Sequence, residues 1–381
     1  LTTEIDRVSE TTKFNETYLL KGEAGTKTIN MKAHDAGLKG TLTDNGDGTA
    51  TFVMDTLNAG DKVSIGGKSY TIGSDDAEVD KWFTDNAADV KAAAGGKITI
   101  NGTEYKYYAA ITKDDANDKG AVEAGFYATQ PSAPDGKGNT VKADFADIDA
   151  LKTAVKKGAT AQNGTKSVTG MNDTATPKDG VSDTDATVIS KKKAYELASK
   201  ELLKANQIGD TENSAKVGVG TAATPVSLTN GTGTFQIQTG SAKVANSLAF
   251  SLHVGADADM TNKIQVNIDA MDSASLGIKG LNVKDDSGNA ATYAVDAISD
   301  AISKVSSQRS SLGAVQNRLE HTINNLDNVV ENTTSAESRI RDTDMAEEMV
   351  NYSKNNILAQ AGQSMLAQAN QSNQGVLSLL Q

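Results

Sequence analysis

Residues 295–330 read VDAISDAISKVSSQRSSLGAVQNRLEHTINNLDNVV and carry an apolar residue at every seventh position. These heptad positions are Ile298, Val305, Leu312, Leu319 and Leu326. Beside them, at the three- and four-residue offsets of a helix, runs a second apolar line formed by Val295, Ile302, Ile323 and Val330. The period predicts a long α-helix whose apolar seam needs a partner helix along its length. Few globular enzymes need such a rod, so the seam favours assembly over catalysis.

The composition of the 381 residues narrows the class of protein. There are 49 acidic and 37 basic residues, which gives a formal net charge of -12. This balance disfavours nucleic acid as a partner, because a binder needs clustered Lys and Arg to displace counterions from phosphates. No apolar run approaches the roughly 20 residues that span a bilayer, so membrane insertion is not expected. The absence of Cys fits a cytosolic protein, or an extracellular one that polymerisation stabilises.

Outside the seam, the sequence predicts a β-rich region. A short helix over 1–8 and a short extended segment or hairpin over 14–20 precede alternating strands that begin at about Gly22. Two similar segments, 63–70 and 98–105, have Gly-Gly or Asn-Gly at the turn and predict a pair of hairpins. A further hairpin is predicted over 41–52, and strand character returns over 234–283.

Helices and loops are predicted between these strands. Helical periodicity covers 76–94, 145–157 and 186–205. The intervening stretch 158–185 is rich in Gly, Thr, Asp and Lys and is interpreted as a surface loop or linker.

A second amphipathic helix is predicted after the seam. Thr334-Ser335-Ala336-Glu337 has the spacing of a capping box, which predicts that the rod is interrupted near Thr334 and that a new helix begins at about Ala336. The apolar positions of the new helix are Met345, Met349, Tyr352, Ile357, Met365, Leu366 and Leu377. Gln, Asn and Ser dominate its polar side, which favours burial among identical neighbours over exposure to water.

No catalytic constellation is visible. His34, His253 and His321 lie in different modules, and no His-Glu-x-x-His pattern exists. The turn at 44–48 lacks the closing Glu of an EF-hand, and 218–220 lacks the later glycine of a dinucleotide-binding loop. We therefore predict a protein that is not an enzyme, with no catalytic, cofactor-binding or metal-binding residues.

Several stretches resemble the conserved ends of bacterial flagellin. LGAVQNRL at 312–319, SRIRDTDMA at 338–346, ILAQAG at 357–362 and the tail from MLAQAN at 365–370 to VLSLL at 376–380 resemble its C-terminal region. EIDRVS at 4–9, followed by Phe14-Asn15, resembles the close of its N-terminal region. LHVGA at 252–256 and QVNI at 265–268 resemble strands that re-enter the core in flagellins of Gram-positive type. Together these stretches cover about a third of the chain.

The resemblance implies an α+β fold. Long coiled-coil-like α-helices would form the conserved filament core, and a β-rich variable domain would be inserted between them. Residues 1–22 would end the N-terminal conserved region, 23–248 would form the variable surface-projecting domain, 249–334 the C-terminal conserved β segment and long helix, and 335–381 the inner-tube helix. Flagellins carry a further N-terminal stretch, so we expect this sequence to begin inside a longer protein and the seam to require the missing helices.

The resemblance also implies a function and its partners. The chain would be the structural subunit of the extracellular flagellar filament, exported without a cleaved signal peptide and needing no cofactor. Its partners would be other copies of itself, an export chaperone at the C-terminal tail, capping and junction proteins, and Toll-like receptor 5. Gln316, Asn317 and Arg318 would contact that receptor or a neighbouring subunit, or else make an intrachain polar contact. Beyond the seam, the assembly residues would include Ile357, Met365, Leu366 and Leu377.

Two other functions fit the same sequence. A hook-filament junction protein shares the terminal helices of flagellin. A secreted glycan-binding adhesin would act through the variable domain, where Trp82 and the tyrosines of 105–108 are predicted to be exposed.

Overall fold

The computed structural model describes residues 1–90, 96–136, 138–218, 233–255, 262–284 and 288–379. Its helices are α1 (Thr2–Thr11), α2 (Asp76–Val90), α3 (Ile148–Lys156), α4 (Lys191–Asn206) and α5 (Asn289–Leu379). The strands of the first half are β1 (Lys13–Phe14), β2 (Thr17–Tyr18), β3 (Glu23–Asn30), β4 (Gly40–Asp44), β5 (Thr49–Met54), β6 (Lys62–Ile65), β7 (Lys68–Gly73), β8 (Lys97–Ile100), β9 (Thr103–Tyr108), β10 (Ala121–Val122), β11 (Gly125–Tyr127) and β12 (Thr140–Val141). The later strands are β13 (Thr160–Asn163), β14 (Lys166–Thr169), β15 (Val188–Ser190), β16 (Lys216–Gly218), β17 (Thr234–Gln238), β18 (Ser241–Asn246), β19 (Leu248–His253) and β20 (Lys263–Ile268).

The strands form several small, mostly antiparallel sheets. The largest has five strands in the order β11-β9-β8-β13-β14. A four-stranded sheet has the order β16-β17-β5-β4, and a three-stranded sheet the order β15-β7-β6. Within the described ranges, the remaining strands pair as β1-β2, β3-β18, β10-β12 and β19-β20. The combination of helices with separate sheets confirms the α+β class.

The chain divides into two compact units. The first contains Leu1–Leu248 and Ile268–Ser307, which include most of the sheets and the first turns of α5. The second contains Ala249–Asn267 and Gln308–Gln381, which include most of β19 and β20 and the rest of α5. The coiled-coil pairing, the inserted variable domain and the four domain boundaries stay predictions.

The three predicted hairpins are confirmed. In the β4-β5 turn, the Asp44 carboxylate accepts a hydrogen bond from the Gly46 N–H at 2.8 Å, and Asp47 accepts one from the Thr49 N–H at 2.9 Å. The β6-β7 turn has Gly66 and Gly67 at positive φ, and the β8-β9 turn has Asn101 and Gly102 there. Positive φ at both central residues is what a two-residue hairpin turn needs, so the local chemistry alone closes these hairpins.

The first hydrophobic core lies in the first unit, where α4 packs with the three- and four-stranded sheets. Phe52 and Phe235 are fully buried, and their rings stack with centroids 6.2 Å apart. The ring of Tyr195 on α4 meets Phe235 edge-on at 6.2 Å. Ser190 caps α4, because its hydroxyl accepts a hydrogen bond from the Lys193 N–H at 3.1 Å.

The second core packs α2 and α3 on the five-stranded sheet and corrects one prediction. Its largest buried side chains are Phe83, Phe126 and Leu151. The prediction of a loop over 158–185 is wrong for residues 160–169, because β13 and β14 belong to this sheet and bury Ala161 and Val168. Small and polar side chains hide the strand signal in the sequence. Residues 160–163 form a strand because they pair with β8, where Ala161 lies opposite Ile100. Residues 170–185 lie outside any helix or strand, as predicted.

The three helices predicted between the strands exist, and two of them begin later than predicted. Helix α3 begins at Ile148 and not at 145, because the Asp147 carboxylate caps it by accepting from the Ala150 N–H at 2.8 Å. Helix α4 begins at Lys191 and not at 186, because Val188–Ser190 pairs with β7 as β15. Helix α2 begins at Asp76 as predicted, and its predicted end at 91–94 lies outside the described residues.

The short N-terminal helix and its following hairpin are confirmed as α1 and β1-β2. The strands predicted over 234–283 are confirmed as far as Ile268, apart from residues 256–261, which lie outside the described residues. Beyond it, residues 269–284 form turns, and Ser273 to Ile278 are buried there. The Asp6 carboxylate of α1 accepts hydrogen bonds from the Ser273 N–H at 2.7 Å and its hydroxyl at 3.0 Å, which ties this turn to α1.

The predicted interruption near Thr334 is wrong. Helix α5 continues without a break through residues 331–340. The stretch from Thr333 to Glu337 contains neither Pro nor Gly, and Ser and Thr side chains are tolerated inside a helix. The spacing of a capping box therefore permits a helix to start at this point but does not force the preceding helix to end.

The half-buried carboxylate of Asp210 joins the loop after α4 to strand β18. Asp210 accepts backbone hydrogen bonds from Ala215 at 2.8 Å, Glu212 at 3.1 Å and Ser241 at 3.2 Å. Partial burial opposes ionisation and would raise the pKa of Asp210, but these N–H donors outweigh it. The pKa of Asp210 therefore lies below its ordinary value of 3.8.

Substitution of Phe52 tests the first core. We expect Phe52→Ala to lower the free energy of unfolding by about 3–5 kcal/mol, because the removed ring leaves a cavity. Val53 follows it on β5 with its side chain on the opposite face and 47% exposed, so Val53→Ala should cost less than about 1 kcal/mol. Urea denaturation followed by circular dichroism measures both. Equal costs for the two variants would contradict this account of the core.

Substitution of Asp210 tests the carboxylate junction. We expect Asp210→Asn to lower the free energy of unfolding at pH 7 by about 1–3 kcal/mol, because a neutral amide has one acceptor oxygen in place of the two carboxylate oxygens, of which one accepts from Ala215 and the other from Glu212 and Ser241. A depressed native pKa stabilises the fold above the unfolded pKa of about 3.9, and this stabilisation disappears as pH falls through the native pKa. The difference in free energy of unfolding between the wild type and Asp210→Asn should therefore become smaller below about pH 4. Asp296→Asn, at an exposed position of α5, is the control. A difference for Asp210→Asn that does not change with pH would refute the stabilising role of the ionised Asp210 carboxylate.

Candidate assembly surface

The first turns of α5 use one face to pack against the first unit. Tyr293, Ala294, Ala297 and Ala301 are buried on this face. The Tyr293 hydroxyl donates to the Glu201 carboxylate of α4 at 2.7 Å. Lys304 continues the same face, where its ammonium group donates to the Ser275 carbonyl at 3.2 Å and burial lowers its pKa. Small side chains let this face of the helix lie close to the core.

The predicted seam lies on another face of the same turns. Val295, Ile302 and Val305 are exposed, and Ile298 is half-buried. Each helical residue turns the chain by about 100°, so positions 298, 302 and 305 project to the side of the stripe formed by 293, 297 and 301. The beginning of α5 thus carries two apolar faces, of which the first unit covers only one.

The remaining part of α5, residues 308–379, has no buried side chain among those described. Of the predicted assembly residues in this part, Leu312, Leu319 and Leu326 are half-buried, whereas the exposed ones are Ile323, Ile357, Met365, Leu366 and Leu377. These side chains follow one another along the helix, and none of them is buried in a core. We define the assembly surface as the exposed and half-buried apolar side chains of α5 from Val295 onward.

Sequence reasoning missed several members of the assembly surface. They are exposed apolar side chains of the same helix, namely Val329, Ile340, Val350, Leu358, Val376 and Leu379. A signal for three of them was present, because Leu358 follows Ile357, Val376 precedes Leu377, and Val350 lies seven residues before Ile357. These doublets broaden the apolar stripe and indicate contact on more than one side of the helix.

The charge of α5 is unevenly distributed along the helix. Up to Lys354 the helix carries charged residues of both signs, including Glu337 and Arg341 with an ion-pair distance of 3.8 Å. From Asn355 to Leu379 there is no Asp, Glu, Lys or Arg. Apolar side chains and neutral amides are therefore the groups that this last segment offers to a partner.

The predicted polar contact, Gln316, Asn317 and Arg318, is exposed on α5. The Gln316 side chain donates to the Glu320 carboxylate at 3.1 Å within the helix, and the Arg318 carbonyl accepts from the Thr322 hydroxyl at 2.8 Å. Within the described ranges the Arg318 guanidinium group makes no ion pair. The structure thus leaves this charge available to a partner without identifying one.

The aromatic residues proposed for glycan binding are not exposed, so that expectation is wrong. Trp82 packs against the edge of Phe83 at 5.1 Å, and its Nε1–H is buried without an acceptor among the described residues. Tyr105 and Tyr107 pack into the second core, and Tyr108 meets the ring of Tyr127 at 6.1 Å. Half-buried rings of this kind stabilise the sheet and leave no open stacking platform.

The histidines lie apart in the structure, as they do in the sequence. His34 has its Nε2 3.7 Å from an Asp300 carboxylate oxygen, whereas His253 and His321 are exposed on β19 and α5. In the part of the chain that the structure describes, no group of His, Asp and Glu has the arrangement of a metal site. No described helix is both long and apolar enough to span a membrane.

Comparison with known proteins identifies the region that contains the assembly surface. Residues 295–380 match the family model of the bacterial flagellin C-terminal helical region. YvzB of Bacillus subtilis (strain 168), provisionally named a flagellin, is 55% identical over 131 residues, which are 34% of this chain and 81% of that protein.

Two longer relatives also have names of flagellar filament proteins. The flagellin of Bacillus subtilis (strain 168) is 49% identical over 168 residues, or 39% of this chain and 54% of that protein. The flagellar filament 33 kDa core protein of Treponema phagedenis is 45% identical over 155 residues, or 39% of this chain and 52% of that protein. The chain thus spans about half the length of these two relatives. With four-fifths of one relative covered at this identity and the helical region matched, the chain belongs to the bacterial flagellin family.

Proposed function

We propose that this chain is the structural subunit of a bacterial flagellar filament and that it polymerises through the assembly surface of α5. The observation that carries the proposal is the coincidence of two boundaries. The family match covers 295–380, and the uncovered apolar residues of α5 run from Val295 to Leu379. The helical region matched by the family model therefore contains the apolar surface that the fold of this chain leaves uncovered.

The energetics of exposed apolar groups support association. Burial of one Leu, Ile, Val or Met side chain contributes about 1.5–3 kcal/mol, and the assembly surface contains many such side chains. Residues 308–379 extend about 110 Å at roughly 1.5 Å per residue, so parallel packing of neighbours accumulates contact area along the axis. A surface that meets a different surface on the next copy generates an open helical polymer, which is what a filament requires.

The proposed partners follow from this role. Neighbouring copies would pair with α5 as a coiled coil. An export chaperone would cover the uncharged tail before assembly, and capping and junction proteins would contact the filament ends. Arg318 with Gln316 and Asn317 would contact a neighbouring subunit or Toll-like receptor 5. The filament is extracellular in this proposal, and the role requires no catalysis or cofactor.

The alternative functions have less support. Relatives carry the names flagellin and flagellar filament core protein, which favours a filament subunit over a junction protein. Trp82 and Tyr107 are half-buried against the second core, which gives the adhesin less support than freely exposed rings would.

Seeded polymerisation tests the proposed function. The chain, joined to a flagellin N-terminal helical region, is added to short filament seeds, and elongation is followed by electron microscopy. We expect elongation with the added region and little without it, because that region supplies partner helices. A folded, extended chain that elongates no seed would refute the filament role.

A paired substitution locates the contact. Leu366→Glu places a carboxylate on the assembly surface, whereas Gln371→Glu places one at an exposed polar position about 140° away around α5, whose neighbours one turn away are not large apolar side chains. We expect Leu366→Glu to slow elongation by about tenfold or more, which corresponds to about 1.4 kcal/mol of lost contact, and Gln371→Glu to have a smaller effect. Circular dichroism checks that both variants keep their helix content. Equal elongation by the two variants would contradict the placement of the assembly surface.

A further inference from the structure

The sulfur atoms of this chain are divided between the cores and the assembly surface. The sequence has no Cys, so its eight Met residues are the only sites of sulfur oxidation. Met345, Met349 and Met365 on α5 are 64%, 62% and 70% exposed, whereas Met31, Met54 and Met171 are 9%, 4% and 4% exposed. Met271 is half-buried, and Met260 lies outside the described residues. Access to an oxidant in water therefore differs sharply between the two sets.

The exposed methionines lie among the apolar contacts of α5. Met345, Met349 and Tyr352 follow the i, i+4, i+7 spacing and share one face of the helix. Met349 also lines a shallow groove with Val350, Ile357 and Leu358. Met365 adjoins Leu366 in the segment that carries no charge. In a helix-helix contact, each of these thioethers would have to be dehydrated.

We propose that Met345, Met349 and Met365 are a peroxide-sensitive modification site that controls assembly, and that their oxidation to sulfoxide blocks polymerisation. The part about assembly rests on the proposed function, whereas the selectivity of oxidation rests on exposure alone. A sulfoxide is polar and accepts hydrogen bonds, so dehydrating it between apolar side chains is unfavourable. The unassembled chain is thus the sensitive form, and packing in a filament protects the same atoms.

The chemistry requires hydrogen peroxide and no metal. A lone pair of the thioether sulfur attacks one peroxide oxygen, the O–O bond breaks and an S–O bond forms. The sulfur is oxidised by two electrons, and the peroxide is reduced to water after proton transfer to the departing hydroxide. A methionine sulfoxide reductase, which uses a thiol reductant, reverses the change. The site is therefore reversible and does not depend on Cys.

Peptide mapping by mass spectrometry tests the selectivity. The folded, unassembled chain is treated with hydrogen peroxide, and sulfoxide formation is followed at each described Met. We expect Met345, Met349 and Met365 to react about tenfold faster than Met31, Met54 and Met171, because reactivity follows exposure. Unfolding in urea should remove the difference. Similar rates in the folded chain would overturn the assignment.

A pair of triple variants tests the effect on assembly. Met345→Leu/Met349→Leu/Met365→Leu keeps the volume and apolar character of the assembly surface but removes its oxidisable sulfur. Met31→Leu/Met54→Leu/Met171→Leu leaves the exposed sulfurs in place and is the matched control. Seeded elongation is measured for both variants and the wild type, each joined to the flagellin N-terminal region, before and after peroxide treatment.

The expected pattern separates the two proposals. Peroxide should slow elongation of the wild type and of the control variant by about tenfold and leave the assembly-surface variant unchanged. Equal inhibition of both triple variants, or no inhibition of the wild type despite full oxidation, would overturn the control of assembly. Absence of elongation in untreated samples would count against the proposed function, and the mapping would still decide where oxidation occurs.

Discussion

Dehydration of the apolar side chains along α5 is the constraint on which the rest of this structure depends. The first turns satisfy it on one side, where Ala297 and Ala301 let the helix lie close to Leu276 and Ile278. On the other side Val295 and Ile302 stay in water. A single helix cannot cover its own outward face, because side chains on opposite sides of a helical cylinder cannot contact each other. In the proposed function another helix supplies this cover, so association follows from the sequence period.

The β-rich part of the first unit does not share this constraint. Its two cores each close around a helix-covered sheet, with Phe52 and Phe235 at the centre of one and Phe83 and Phe126 at the centre of the other. Polar contacts such as those of Asp6 and Asp210 join the connecting turns to these cores. The large apolar side chains of these two cores are buried within the chain, so the cores close without a second molecule. In the proposed function, assembly and internal folding therefore use different residues.

The chemistry of the assembly surface determines what kind of contact it can make. After Lys354 the helix has no charged side chain, so a change in ionic strength has little direct effect on contacts made there. Such contacts depend on close packing of Leu, Ile, Val and Met with the neutral amides of Gln and Asn. A surface of this type tolerates changes of salt but responds strongly to a change in the polarity of one side chain. Its methionines are the positions where such a change occurs without a mutation.

Local sequence chemistry was enough to predict some secondary-structure elements but not others. The seven-residue period of Ile298, Leu312 and Leu319 specified a long helix, and the Asn-Gly and Gly-Gly turns specified hairpins, because each signal acts within a few residues. Strands β13 and β14 escaped notice, since Ala161 and Val168 become strand residues through pairing and burial against distant parts of the chain. The capping-box spacing at Thr334 suggested a break that the helical backbone did not require.

The candidate site shows the same division. The sequence by itself determined that α5 is amphipathic and, through its motifs, which family the chain resembles, because periodicity and motif are local properties. Only the tertiary structure decided that the Tyr293 face is covered while the Ile302 face is open, and that Trp82 lies against a core and not on a binding surface. Burial is a property of the whole packed chain. Residues far apart in sequence determine which apolar side chain water can reach.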